Sequence, residues 1–257
     1  MSLLVVCGVA LVASGLTFFS GFGLGTLLLP AFALFYPVEM AVALTAVVHF
    51  LNGLFKLVLI GRHANARIVL VFGVPAFLAS FAGASLLVSL AGFAPLASYS
   101  LGGRELAIMP AKLAVGLLLA VFSAAELAPR LREASFAPRF FALGGVLSGF
   151  FGGLSGMQGA LRSAFLARSG LSKEAFISTS SAIGALIDLS RLGVYARSLL
   201  QEGPRMEYGV LAAAVLCAFA GAVVGNRYLK SVSLKAIQRI VAVMLFAVAL
   251  GLISGVL

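Results

Sequence analysis

Three sets of residues in this chain could do chemistry, and all three lie inside apolar runs. In the run 38–60, Thr45, His49, Asn52 and Lys56 are spaced four, three and four apart, which puts them on one face of a helix. In the run 174–198, Ser181, Asp188 and Arg191 follow at intervals of seven and three, and Ser181 closes the hydroxyl cluster Ser178, Thr179, Ser180, Ser181. The third set surrounds two glycine-rich stretches, SGFGLGTLLLP at 20–30 and SGFFGGLSGMQGALRSAF at 148–165. Gly23, Gly25 and Thr26 belong to the first of these, and Gln158, Gly159 and Arg162 to the second.

Ionisable groups inside an apolar span are expensive, and by default they mark a substrate or proton path. Guanidinium and ammonium groups supply charge for an anion, an imidazole can take up a proton, and amides and hydroxyls orient its oxygens. Plainer readings stand beside these. Lys56 lies four residues from the end of its run and could extend to the interface. Arg191 could simply pair with Asp188 one turn away. His49 could be a packed neutral imidazole bonded to Asn52 or to a backbone carbonyl. Arg162, deep in an apolar run, is the hardest to explain without an anion. Glu39 and Glu174 open their runs, where acidic side chains complement a helix dipole.

The elements that must position these groups follow from composition. The 257 residues are 62% hydrophobic and 10% charged, with a mean hydropathy of +1.15. That is too much apolar surface for a soluble domain, and it defines an all-α polytopic membrane protein. The net charge of +10 sits in short gaps between apolar runs. It therefore reads as the positive-inside bias of a plasma-membrane protein, such as one of a bacterial inner membrane, and not as a nucleic-acid surface. The first apolar run has no basic segment before it and does not read as a cleaved signal peptide. Cys7 and Cys217 are far apart, form no CxxC and read as inert packing residues. No metal site, cofactor site or P-loop is expected. An enzyme is not expected either, because Asp188 is the one acid deep in a span and no His cluster or Ser–His couple accompanies it.

Six runs reach or approach the ~20 residues of a spanning helix. Two more are broken by the glycines, at 2–19 with 24–36 and at 136–152 with 157–168. Arg62 and Arg67, Arg130, Arg132 and Arg139, Lys173, and Arg227, Lys230 and Lys235 mark four gaps as cytoplasmic. Both ends of the second broken run then lie on one side, so it is a hairpin that crosses twice or dips in and returns. By the same count the first is a hairpin from the outside. A shift of 135 sets Gly21 on Gly156, Glu39 on Glu174 and Lys56 on Arg191, and FAGA at 81–84 recurs at 219–222. The expectation is two inverted repeats, 1–127 and 136–257, joined by a cytoplasmic linker, 128–135, with a site where the two tips meet. Each tip needs the tight backbone that glycine allows. The short helices from about Gly25 and Gly159 would then point unpaired N–H groups inward, which suits an anion. Glycine used only for close helix packing is the competing reading.

The glycine-rich tip followed by Pro30, its echo GLSGMQGALRSAFLARSGLSKEAF at 153–176, the basic GRH gap at 61–63 and the inverted halves resemble the TauE/SafE sulfite exporter family, also called the toluene-sulfonate uptake permeases. The resemblance covers nearly the whole chain. It implies a secondary transporter of sulfite, sulfonates or related small anions, working by alternating access, with a passive small-anion channel as the alternative. It leaves room for a coupled proton or other ion and for a homodimer.

Overall fold

A computed structural model describes residues 2–20, 23–128, 135–202, 208–228 and 234–257. Gly21 and most of the linker 128–135, with Arg130 and Arg132, lie outside the described residues, as does Lys230. Ten α-helices make up the described chain: α1 Ser2–Ser20, α2 Leu24–Ala33, α3 Val38–Ile60, α4 Ala66–Ala91, α5 Pro110–Leu127, α6 Phe141–Ser155, α7 Gly159–Leu166, α8 Lys173–Glu202, α9 Tyr208–Tyr228 and α10 Leu234–Ser254. The fold is that of an all-α polytopic membrane protein. Among the described residues, Val38–His63, Ala66–Ala91 and Tyr208–Gly225 are long and apolar enough to cross a bilayer, and shorter apolar helical segments accompany them. Helix α8 has 30 residues but carries Asp188 and Arg191 near its middle. Large apolar side chains face outward, Val58 at 83% and Leu4 at 79% exposure, as a lipid-facing surface requires.

Local signals set the helix ends. Asn65 caps α4 by accepting the Ile68 N–H at 3.0 Å, an arrangement that satisfies one of the orphan donors of a helix start. Pro110 opens α5, where its missing N–H costs nothing. The short helix α2 is buried along almost its whole length, from Leu24 to Ala33. A helix that stops part-way through an apolar layer needs this enclosure, because its free backbone ends find no partner in lipid.

Two seams of glycine hold the helices together. Gly145, Gly149 and Gly153 of α6 lie directly against the carbonyls of Phe72, Ala76 and Ser80 of α4, leaving no room for a methyl group. On the second seam, Gly221 and Gly225 of α9 lie in the same way against Leu11 and Gly15 of α1. Contacts advance together along both members of each seam, so α4 runs parallel to α6 and α1 to α9. This is the small-residue packing of membrane helices, and it accounts for glycines that the breaks do not need. The remaining major contacts are α3 with α8, α4 with α8, and α5 with α10.

One element was not expected. The gap between α4 and α5 forms an antiparallel hairpin of β1 Ala97–Leu101 and β2 Arg104–Ile108. Its turn is Gly102–Gly103, with φ of +59 and +77, the backbone that a tight two-residue hairpin requires. The Tyr99 hydroxyl donates to the Ser254 carbonyl at 2.5 Å, which ties the hairpin to the end of α10.

Candidate functional site

Both glycine-rich stretches are real helix breaks. Gly23 precedes α2 with φ +126, and Gly156 ends α6 with φ +77, its N–H bonded to the Gly152 carbonyl. Side-chain-bearing residues rarely adopt either conformation. The breaks meet: a methyl on Gly25 would lie 3.0 Å from the Gly156 carbonyl oxygen, 3.7 Å from His49 Cδ2 and 3.9 Å from Thr45 Cγ2. The N-termini of α2 and α7 thus open beside α3, each with first-turn N–H groups that have no partner within the helix.

A buried polar network adjoins this junction, centred on Asp188 of α8, which is fully buried. Its Oδ1 accepts from Gln158 Nε2 at 2.9 Å and from Arg191 Nε and Nη2 at 3.0 and 2.7 Å. Its Oδ2 meets His49 Nδ1 at 2.5 Å. Arg191 Nη1 also reaches the Gly152 carbonyl at 3.3 Å, and the Tyr195 hydroxyl donates to that of Gly153. Both arms of the second broken helix are therefore fastened to α8.

Arg162, on α7, is 3% exposed. Its Nη1 donates to Gln158 Oε1 at 2.7 Å and its Nε to Ser180 Oγ at 3.1 Å. Both acceptors are neutral. Across α8 the absence of a side chain at Gly184 leaves room for Arg162 and His49, since a methyl there would stand 3.3 Å from Arg162 Nη1 and from His49 Cε1. Lys56 is buried and close enough to Arg162 for the two charges to repel. The Thr45 hydroxyl is buried without a hydrogen-bond partner.

The sequence-derived candidates fall into place unevenly. Gly23, Gly25, Gln158 and Gly159 form the breaks, and His49, Gln158, Arg162, Asp188 and Arg191 share one network. Arg191 pairs with Asp188 as its spacing allowed, and His49 turns to Asp188 and not to Asn52. The Asn52 side chain instead accepts from Ser14 of α1 at 3.0 Å. Lys56, at 6% exposure, does not extend to the surface. Thr26 sits half-buried in the first turn of α2. Ser181 directs its carbonyl toward Gly53, and the hydroxyl that reaches Arg162 is that of Ser180. Sequence reasoning noted Ser180 only within its cluster and missed Ser14, Gly184 and Tyr195. The one usable signal was that Ser180 and Gly184 lie on the same helix as Asp188, four residues apart.

Broken helices meeting inside a multi-helix apolar body, with buried arginines at the junction, belong to a polytopic membrane protein. The family profile described as sulfite exporter TauE/SafE matches residues 6–252, and the chain belongs to that family. No curated protein and no solved structure matches it.

Proposed function

We propose that the protein is a secondary transporter of a small sulfur-containing or organic anion of the sulfite or sulfonate type, bound where the two helix breaks meet. One observation carries this reading: Arg162 is a buried cation, in the first turns of a short helix, whose hydrogen-bond partners are neutral. Asp188 favours that charge through space, yet burying a cation still costs several kcal/mol, and a bound anion would offset part of that cost. The N–H groups of α2 and α7 and the free Thr45 hydroxyl would take its oxygens, with Gly23, Gly25 and Gly159 allowing close approach. Asp188 holds Arg191, His49 and Gln158 in position. Lys56 adds positive potential, and His49, 17% exposed, is the network's titratable group through which a proton could couple.

Alternating access would follow from inverted halves, 1–127 and 136–257, in the plasma membrane. Several contacts support this. The major contacts map onto themselves when α1–α5 are exchanged with α6–α10: α1 with α9 becomes α6 with α4, and α3 with α8 and α5 with α10 are self-equivalent. Both seams are parallel, so α6 begins on the side where α4 begins, and α1 on the side where α9 begins. The β-hairpin after α4 rests on the end of α10, so α4 ends on the side where α9 begins. With α3, α8 and α10 crossing once each, the two broken helices enter from opposite sides. Arg62, Arg67, Arg139, Lys173 and Arg227 then share one side, the cytoplasmic one.

The test is thermal stabilisation of the purified protein by sulfite, alkyl and aryl sulfonates and carboxylates. At least one sulfur anion should raise the unfolding midpoint of the wild type, and Arg162→Ala should abolish the rise while remaining folded. Equal stabilisation of wild type and variant would show that Arg162 has only a structural role.

A further inference from the structure

Cys7 and Cys217 take no part in the polar network, yet the fold brings them together. On the α1–α9 seam, Leu11 faces Gly221 and Gly15 faces Gly225. Carried back one turn, the same offset pairs Cys7 with Cys217, and the two thiols are close enough to interact. Both are free thiols and only half-buried. A disulfide needs Cα atoms about 4.4–6.8 Å apart, and backbones that touch through Gly221 one turn away bring Cys7 and Cys217 toward that range.

We propose that Cys7 and Cys217 form a reversible dithiol–disulfide site that covalently locks α1, the leading helix of the first broken pair, to α9. The co-reactant is a disulfide, small or carried by a thiol oxidoreductase. One thiolate attacks a sulfur of that disulfide and releases a thiol, leaving a mixed disulfide. The second thiolate then attacks the protein-side sulfur and releases the other thiol. The cysteine pair is oxidised by two electrons, the co-reactant is reduced to two thiols, and the two cysteine protons pass to them. Cys7 lies in the first third of α1 and Cys217 at the middle of α9.

The experiment uses the full-length protein in detergent, treated with oxidised glutathione and then with a maleimide-bearing polymer. Wild type should lose both reactive thiols and become lighter by two hydrogens, with no glutathione adduct and no dimer. Dithiothreitol should restore both thiols. The oxidised form should unfold several degrees above the reduced form. Cys7→Ser should leave one thiol that takes a glutathione adduct. Two persistently reactive thiols in oxidised wild type, separate glutathione adducts on each cysteine, or purely intermolecular dimers would each overturn the proposal. These readouts need no anion and no transport, so they stand apart from the test of Arg162.

Discussion

Asp188→Asn keeps the shape of the side chain and removes its charge. In the wild type the carboxylate takes two hydrogen bonds from Arg191, one from Gln158 and a 2.5 Å contact with His49. An asparagine can still accept on one oxygen, but Arg191 then loses its counter-charge in a fully buried position. Breaking a buried ion pair from one side costs about 3–5 kcal/mol. At about 2–4 °C per kcal/mol, the unfolding midpoint should fall by about 6–20 °C. The anion should respond in the opposite direction, because it no longer sits near a fixed negative charge. At a separation of about 8 Å and an effective dielectric of about 20, the relieved repulsion is about 2 kcal/mol, or about 30-fold in affinity. Differential scanning fluorimetry over a sulfite or sulfonate titration reads both quantities. A variant as stable as wild type, or one that binds the anion more weakly, would refute the assignment of Asp188 as the internal counter-charge.

Three further outcomes are expected. His49 faces Asp188, Arg162 and Arg191, and a proton there favours an anion by linkage. Affinity for a sulfonate, whose charge is constant between about pH 6 and 8, should therefore rise as pH falls. His49→Gln should flatten that slope in the same titration. Gly149→Val places branched carbons into the Ala76 carbonyl and should lower the midpoint by more than Gly193→Ala, where nothing lies within 4 Å. Parallel thermal melts decide. In a background lacking Cys7 and Cys217, Ala64→Cys and Ser169→Cys should label from one side of sealed vesicles and Ser100→Cys from the other. Labelling of 64 and 169 from opposite sides would remove the hairpin.

Helix placement was legible because membrane helices announce themselves by length and apolarity, and the breaks because glycine is dense where a helix must stop inside the bilayer. The role of each glycine was not legible. Gly149 and Gly153 belong to the glycine-rich stretch, where a break and close packing were both open readings, and with Gly145 they form a seam, since a four-residue spacing acquires meaning only when the facing helix is known. The β-hairpin has a strong turn signal in Gly102–Gly103, but strands of five residues do not stand out in a gap between spans. Within the site, the pair Asp188–Arg191 was readable from its i, i+3 spacing. The partners of His49 and Asn52 were not, because each lies on another helix: Asp188 on α8 and Ser14 on α1. Cys7 and Cys217 failed in the same way, separated in sequence and joined only by the register of a seam.

The packing explains why a site would form at the breaks and not elsewhere. Each broken pair is held by two different parts of the molecule. Its long arm is locked by glycine to the fourth helix of the other half, α1 to α9 and α6 to α4. Its short helix packs on the third helix of its own half, α2 on α3 and α7 on α8. The break is where these attachments meet, so a displacement of a short helix against its long arm would bend the chain there, at Gly23 and Gly156. Those positions already use positive-φ glycines, which accept dihedral change at low cost. The charged groups lie on α3, α7 and α8, on the short-helix side of that bend. That network is itself tied to one long arm, through Arg191 to the Gly152 carbonyl and Tyr195 to the Gly153 carbonyl of α6, and it crosses to α3 through His49 and Asp188. A displacement at the breaks would therefore have to exchange these bonds, which makes Asp188 and its partners the groups that such a motion must rearrange.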